Sequence, residues 1–319
     1  MKNLKLNAWR YFSLLLALAV TVGFSSCDDD DDDDMMPDPD DIVDVLEDDP
    51  SFTTLSAAIE VAGLEGALSG TGPFTVFAPN DDAFGDFLSD NGLSADDILG
   101  NASLADILSY HVAAGSVMAA DVSAGPVTSL TEDPFYVSID PNNGVWINGN
   151  TQVIATDKMA SNGVIHTLDY VITAPTQSIA EIAVASTQAS TPEFTQLVAA
   201  LTRAGLVDAV SGGFEDDLTV FAPTDAAFEA LYDALGVDGV DDIDLDLLTD
   251  VLTYHVVPAR AFSQDLRDGA SLPTLLEGEN LSVDLPGLMI NDSNLVPSML
   301  NIHATNGVIH VIDQVIIPE

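Results

Sequence analysis

Apolar side chains recur at helical spacing in two segments of the chain. They fall at Phe52, Leu55 and Ile59 in the first segment and at Phe194, Leu197 and Leu201 in the second. Positions three or four residues apart share one face of a helix, so each segment predicts an amphipathic helix packed on a core. Gly63 and Gly205 fit the ends of these helices. Further short helices are predicted from residues 82 and 225, and over 104–108 and 247–252.

Other segments carry the β-branched and aromatic residues that favour strands. Residues 75–77 and 219–221 are two such strands, each followed by a proline. Two hairpins are then predicted: 135–140 with 145–148 through Asn-Gly, and 281–285 with 288–290 through Pro-Gly. A valine-rich strand closes each half, over 164–172 and 308–317. Helices followed by antiparallel strands favour an α+β fold.

Three short strings occur twice, always 144 residues apart. They are Thr-Val-Phe-Ala-Pro at 75–79 and 219–223, Tyr-His-Val at 110–112 and 254–256, and Asn-Gly-Val-Ile-His at 162–166 and 306–310. Three matches in one register indicate a duplicated domain, and the period is far longer than that of a solenoid. The chain is therefore predicted to hold two domains, 41–174 and 177–319, each with its own core.

These three strings, with Ala-Phe soon after the first, resemble the fasciclin domain in both halves of the chain. The resemblance implies a β-sandwich-like wedge of mostly antiparallel strands with helices packed around it. It also implies adhesion, because fasciclin domains occur in tandem on secreted or membrane-anchored proteins that contact matrix, glycans or partner proteins. Two such domains on a tether are expected to multiply weak contacts.

The resemblance assigns adhesion partly to the Tyr-His region and partly to an acidic motif before Asn-Gly-Val. The implied contact residues are Tyr110, His111, Asp157, Met159, Tyr254 and His255. In the second copy, Asn301 and His303 replace Asp157 and Met159, which argues against the same contact there. The competing interpretation is structural: the repeated histidines are buried and hydrogen-bonded, with a metal-ligand role as a lesser alternative.

The remaining repeated residues are interpreted as the framework of the fold. They are Thr75, Phe77, Pro79, Asn162, Gly163, His166, Thr219, Phe221, Pro223, Asn306, Gly307 and His310. Among them, Gly163 and Gly307 are expected to supply a turn geometry that other residues resist.

The pattern of residues 1–27 predicts an export signal. Basic residues precede an apolar stretch over 11–22, which is shorter than a membrane-spanning helix needs. Cys27, the only cysteine, follows small residues and resembles the lipid-modified cysteine of bacterial lipoproteins. Cleavage near Ser25 or Ser26 by an ordinary signal peptidase is the alternative.

Seven aspartates follow Cys27 and begin an acidic segment, residues 28–40, which is predicted to be a solvated, disordered tether. This run resembles the acidic signal that sends lipoproteins of Bacteroidota to the cell surface. We therefore expect an outer-membrane lipoprotein that faces outward, with a periplasm-facing protein as the alternative.

Charge excludes one class of function outright. The chain has 52 acidic and seven basic residues, three of which lie within the first ten positions. Such a chain cannot make the phosphate contacts of a nucleic-acid-binding protein, and anionic membranes repel it, so only a lipid anchor would hold it to a membrane. The run Asp242-x-Asp244-x-Asp246 begins like a calcium loop, but Leu247 and Thr253 occupy positions that need Gly and Glu. We therefore expect a general acidic surface without a metal site.

No catalytic motif is present in the mature domains, and no cofactor is implied. The leading hypothesis is a non-catalytic cell-surface adhesin that contacts an extracellular protein or a glycan. A carrier of an apolar pigment or lipid, held between strand and helix layers, is the alternative. A purely structural envelope spacer is the third.

We predict that the folded domains depend on salt, because screening weakens repulsion between the many carboxylates. Folding should weaken at low ionic strength and recover equally in NaCl and KCl, as followed by circular dichroism. Recovery with micromolar Ca²⁺ alone would show a dedicated calcium site instead.

Overall fold

The computed structural model describes residues 39–318. The predicted signal peptide, the lipidation site Cys27 and residues 28–38 of the predicted tether lie outside the described residues, as does Glu319. No helix among the described residues is long and apolar enough to cross a membrane.

The first repeat consists of a mainly helical half followed by a strand-rich half. Its helices are α1 (Ile42–Glu47), α2 (Thr53–Ala62), α3 (Glu65–Leu68), α4 (Asp81–Asn91), α5 (Ala95–Leu99) and α6 (Leu104–Tyr110). Its strands are β1 (Phe74–Pro79), β2 (Val112–Ala114), β3 (Gly125–Thr128), β4 (Pro134–Ile139), β5 (Val145–Ile147), β6 (Thr151–Ala160) and β7 (Gly163–Leu168).

The second repeat follows the same order with shorter strands. Its helices are α7 (Ile179–Ser186), α8 (Thr195–Ala204), α9 (Asp225–Leu235) and α10 (Leu245–Tyr254). Its strands are β8 (Leu218–Pro223), β9 (Val256–Val257), β10 (Ser271–Pro273), β11 (Asn280–Asp284), β12 (Met289–Ile290), β13 (Ser293–Asn294), β14 (Ile302–Ala304) and β15 (Gly307–Ile312).

The strands of each repeat are antiparallel except for one central pair. In the first repeat, seven strands form one sheet in the order β2-β1-β7-β6-β5-β4-β3, and β1 runs parallel to β7. In the second repeat, β8 pairs in parallel with β15 within the sheet β14-β15-β8-β9, and a separate sheet holds β10 to β13. Helices packed on mostly antiparallel strands confirm the predicted α+β class.

Most of the predicted elements are present. The two amphipathic helices are α2 and α8, and Gly63 and Gly205 end them in the left-handed conformation, each with φ +68°. Both hairpins form, as β4 with β5 and β11 with β12. Helix α5 had no counterpart in the prediction. A serine that caps its N-terminus and a short apolar face are its only local signals.

The two closing strands are shorter than predicted. They end at Leu168 and Ile312, whereas the apolar pattern continues to residues 172 and 317. Beyond these ends the backbone pairs with side chains: the N–H of Ile172 donates to His111 at 3.1 Å, and that of Ile316 to His255 at 3.0 Å. Val171, Ile172 and Ile316 are buried there without belonging to a strand, which a period-two pattern cannot distinguish from a strand.

Each repeat buries two apolar layers, one on each side of its central strands. In the second repeat, α7, α8, α9 and α10 cover one side of β8 and β15, with Phe194 and Phe228 almost fully buried there. Phe221 belongs to the cluster on the other side, under the hairpin strands. The first repeat has the same arrangement, with Phe52 on the helical side and Phe77 under the hairpin.

A buried asparagine ties the first helix of each repeat to its last strand. Asn306 accepts a hydrogen bond from the backbone N–H of Ile179 at 2.8 Å and donates to the carbonyl of Val210 at 3.0 Å. Asn162 likewise accepts from Ile42 and donates to the carbonyl of Leu68. The N–H groups at a helix start have no partner within the helix, so the asparagine supplies one inside the core.

The glycines after these asparagines are required by close packing of two backbones. A Cβ atom at Gly163 would lie 2.3 Å from the carbonyl oxygen of Phe74, and one at Gly307 would lie 2.1 Å from that of Leu218. This corrects the expectation of a turn geometry at Gly163, which is not left-handed, whereas Gly307 has φ +159°. At both positions the parallel strand alongside leaves no space for a side chain.

We predict that Asn306→Ala lowers the free energy of unfolding by about 2–4 kcal/mol, because it leaves a buried N–H and a buried carbonyl unpaired. Urea denaturation measures the change. The exposed Asn142→Ala is the matched control, expected to stay within about 0.5 kcal/mol of the parent. Equal stability of the two variants would contradict the structural role of Asn306.

Candidate contact surfaces

The tyrosines of the two Tyr-His pairs are core residues. Tyr110 is 1% exposed, and its hydroxyl donates to the carbonyl of Pro134 at 2.9 Å and accepts from Asn148 at 3.3 Å. Tyr254 is 4% exposed and makes the matching bonds, with the carbonyl of Asn280 at 3.0 Å and with Asn291 at 2.9 Å. Burial raises the pKa of Tyr110, so this hydroxyl stays protonated.

The adjacent histidines are buried in the same way. His111 Nδ1 lies 2.8 Å from the carbonyl of Ile107, and its Nε2 accepts from the N–H of Ile172. His255 Nδ1 lies 2.7 Å from the carbonyl of Val251 and accepts from Ile316 at Nε2. These partners make both rings neutral donor-acceptors. Each ring holds the end of its repeat against the helix before it.

The two Tyr-His pairs therefore do not lie at the surface of the fold. The expectation that Tyr110, His111, Tyr254 and His255 contact a partner is corrected, because none of the four side chains reaches solvent appreciably. The competing structural interpretation of the histidines fits their contacts.

A second set of repeated residues holds the loop that follows β2 or β9. Thr75 Oγ1 donates to the carbonyl of Gly115 at 2.7 Å and accepts from Val117 at 2.9 Å. His166, which packs against Phe77 with ring centroids 5.6 Å apart, bonds through Nε2 to the carbonyl of Val117 at 2.9 Å. The loop is thus fixed from two sides.

The second repeat repeats these contacts. Thr219 Oγ1 donates to the carbonyl of Ala259 at 2.6 Å and accepts from Ala261 at 2.9 Å. His310 Nε2 lies 2.9 Å from the carbonyl of Ala261, and its ring stacks on Phe221. The framework motifs therefore place the same loop at the same site in both repeats.

The acidic-motif position completes this arrangement. Asp157 has φ +61°, and its Oδ1 accepts from the N–H of Ala119 at 2.8 Å. Asn301 has φ +55°, and its Oδ1 accepts from Ser263 at 2.7 Å. Asp and Asn are the residues that best tolerate this left-handed backbone. Each repeat thus presents a contact face: residues 116–119 with 157–159 form the first face, and residues 260–263 with 301–303 form the second face.

The two faces differ in exposure. On the first face, Met159 is 59% exposed and Val117 is 37% exposed, beside the partly exposed Asp157. The second face lies against the first repeat, where the ring of Tyr136 contacts Arg260, Phe262 and His303. Only the first face is thus open to an external partner, and of the predicted contact residues only Asp157 and Met159 lie on it.

The sequence model of the fasciclin domain matches residues 50–174 and 192–318, more than half of the chain. The chain belongs to the fasciclin family. The two matched segments lie within the predicted repeats, one in each, which confirms the tandem arrangement.

Three curated fasciclin relatives show how the match is distributed. Protein sll1483 of Synechocystis sp. is 42% identical over 134 residues, covering 42% of this chain and 73% of that protein. Human periostin is 29% identical over 275 residues, covering 84% of this chain but 31% of periostin. The cell surface glycolipoprotein MPB83 of Mycobacterium bovis is 35% identical over 149 residues, covering 44% of this chain and 62% of MPB83.

A solved structure also aligns with the chain. The FAS1 domain pair of the insect cell adhesion molecule fasciclin I matches with a TM-score of 0.37 and 16% identity, covering 83% of this chain and 95% of that one.

The four basic residues of the described fasciclin pair are engaged within the protein. Lys158 pairs with Asp49, and Arg260 with Asp217. Arg203 and Arg267 donate to backbone carbonyls, of Val240 and of Ile139. Carboxylates therefore dominate the charges available to an external partner on the described surface.

The calcium-like run is occupied by secondary structure. Asp244 caps α10, and its carboxylate accepts from the N–H groups of Asp246 and Leu247. Across residues 39–318, no group of His, Cys, Asp or Glu has the arrangement of a metal site.

One enclosed apolar cavity lies between the helix and strand layers of the second repeat, lined by residues such as Phe194, Leu252 and Ile309. Its volume is about 20 Å³, room for about one water molecule. Ligand pockets usually measure about 300 Å³ or more. Carriage of a pigment at this place would therefore require the layers to separate.

We predict that stability falls as the pH drops below neutrality. Burial holds the pKa of His111, His255 and His310 down at about 4, and that of His303 at about 3, where the nearby Arg260 charge adds to burial. The unfolded chain binds these protons near pH 6.5, and the folded state refuses them. The contribution of these histidines to the free energy of unfolding is therefore fully present above about pH 6.5. Below that pH, each histidine lowers the free energy of unfolding by about 1.4 kcal/mol per pH unit until its folded-state pKa is reached.

Urea unfolding between about pH 7 and about pH 5 tests this, because most carboxylates remain charged throughout that window. A free energy of unfolding that stays constant across the window would contradict the burial of neutral histidines.

Proposed function

We propose that this protein is a non-catalytic, cell-surface adhesion module that contacts an extracellular partner through the first face. The observation that carries the proposal is the exposure of Met159 and Val117 beside the carboxylate of Asp157 on a rigidly held loop. Exposed apolar residues around a charged group are typical of protein contact sites.

Charge narrows the chemistry of the partner. With the described basic residues engaged internally, the first face attracts cationic groups and repels anionic ones. A protein that presents Lys or Arg next to an apolar side chain fits this face better than an acidic glycan. We therefore favour a basic protein surface, and a neutral glycan is the alternative that the attachment assay distinguishes.

The N-terminal sequence supports a location at the cell surface. The basic and apolar segments, followed by Cys27 and the aspartate run, fit export, lipidation and display on the outer membrane. MPB83 is a cell surface glycolipoprotein, which agrees with display of this kind.

Protease shaving of intact cells tests the location. An endoproteinase that cleaves before aspartate should release both repeats from living cells, because the aspartate run precedes them. Release only after the outer membrane is opened would show a periplasmic protein. An envelope role would then replace adhesion.

Attachment of cells to immobilised extracellular protein tests the face itself. We predict that Met159→Asp reduces attachment about tenfold, because it replaces an exposed apolar contact with a carboxylate that the interface would have to desolvate. Val61→Asp on α2 is the matched control, since Val61 is 57% exposed and lies away from the first face.

Equal attachment by the two variants would exclude the first face as the contact site. Retention of attachment after the immobilised protein is digested, but not after its glycans are removed, would identify a glycan partner.

A further inference from the structure

The second face is covered by an aromatic and cationic cluster that joins the two repeats. The Tyr136 ring lies 4.1 Å from the guanidinium carbon of Arg260, and its centroid lies 5.8 Å from that of His303 in a perpendicular arrangement. Phe262 is 1% exposed and packs with Tyr136 and Val308. We call this contact, with the hydrogen bonds around it, the joint.

The turn after β5 supplies the polar part of the joint. The carbonyl of Gly149 accepts from the side-chain amides of Asn301 and Gln264, each at 2.8 Å. Gly149 has φ +71°, and a Cβ atom there would lie 2.5 Å from the ring of Phe262. Glycine is therefore required both for the backbone angle and for the close approach.

Charged side chains fasten the edge of β4. Arg267 donates to the carbonyl of Ile139 at 2.8 Å, and Ser138 Oγ donates to Asp265 at 2.9 Å. Arg260 is only 3% exposed, because it bonds to Asp217 and to the carbonyls at the β14–β15 turn. Two of the four basic residues in the described chain thus serve the joint.

The residues that form the joint are absent from the corresponding positions of the other repeat. In the first repeat, the positions equivalent to Arg260, Phe262, Gln264, Arg267, Asn301 and His303 hold Ser116, Met118, Ala120, Ser123, Asp157 and Met159. The change at Asn301 is informative, because its Oδ1 caps the loop as Asp157 does, while its Nδ2 adds the bond to Gly149. A carboxylate at that place would oppose a carbonyl oxygen.

The opposite side of the joint has changed too. Asn148 and Asn291 both bond to the buried tyrosine of their repeat, which makes them equivalent. Asp292, the residue after Asn291, therefore replaces Gly149. Ser282 replaces Tyr136, because each exchanges hydrogen bonds with the equivalent asparagine across its hairpin. A head-to-tail contact of the same geometry between two molecules would place Asp292 against Asp157, so the joint cannot propagate into a filament.

We propose that the second repeat has lost its external contact face and uses it to hold the first repeat in a fixed orientation. The chain then presents one contact face, not two. On this proposal, the two domains do not multiply contacts within one molecule. Multivalency arises instead from many chains on one cell. The use of a single contact face rests on the proposed function, whereas the closed joint does not depend on it.

Thiol labelling tests whether the second face is closed. Cys27 is the only cysteine, so a full chain with Cys27→Ser has none. In that background, Met159→Cys and His303→Cys place one thiol at the same position of each face. We expect a maleimide to label Cys at 159 at least about a hundredfold faster, because only the second face must open first.

A substitution on the first repeat opens the joint without changing the residues around the labelled thiol at position 303. Gly149→Asp, which installs the residue of the second repeat, should raise labelling at 303 toward that at 159. The reciprocal Asp292→Gly should leave it unchanged. Equal labelling at 159 and 303 in the parent background, or no acceleration by Gly149→Asp, would overturn the closed joint.

Solution scattering of the full chain gives a second measurement that does not depend on labelling. Asn301→Asp with His303→Met should increase the radius of gyration by several ångströms, while Asp157→Asn with Met159→His should leave it unchanged. An unchanged radius in both would overturn the fixed orientation. If Met159→Asp leaves attachment intact while the joint tests succeed, the proposed function fails and the joint stands.

Discussion

The parallel pairing of the first and last strands within each repeat brings together residues that are far apart in the chain. In this register Phe77 lies opposite His166, and Phe221 lies opposite His310. The histidine can then stack on the phenylalanine and bond to the loop after the next strand. Pairing this close also requires glycine at 163 and 307. The contact faces depend on this strand pair, because it places the loop that forms half of each face.

One framework thus supports two surfaces with different uses. Threonine, histidine and an Asp or Asn hold the loop identically in both repeats, so substitutions on its outer side cost the fold little. On the first repeat those positions carry serine and methionine and remain open. On the second repeat they carry arginine, phenylalanine and histidine and hold a neighbouring strand. The difference lies in a few side chains, while the backbone stays the same.

In this acidic chain, the few basic side chains make contacts that hold the fold together. Lys158 lies between Asp49 and the ring of Phe52, and Arg260 sits against Tyr136. Two buried side-chain atoms have no hydrogen-bond partner among the described residues, the Oγ of Ser56 and the Nε2 of His303. Burial, together with the nearby charge of Arg260, lowers the pKa of His303 to about 3, so its ring stays neutral. The joint is held by packing and by hydrogen bonds, and none of the ion pairs among the described residues crosses it.

The sequence alone determined the duplication, the α+β class, the amphipathic helices α2 and α8 and both hairpins, because periodicity and turn residues are local properties. It could not show that Tyr110 and His111 point inward, since a repeated motif looks the same whether it serves a partner or the core. From the sequence, Asn301 and His303 could be recognised only as replacements of Asp157 and Met159. Their meaning emerged in the tertiary structure, where Gly149, about 150 positions away, approaches within hydrogen-bonding distance of Asn301. Burial and contact between distant segments depend on how the elements pack, and no local pattern encodes that packing.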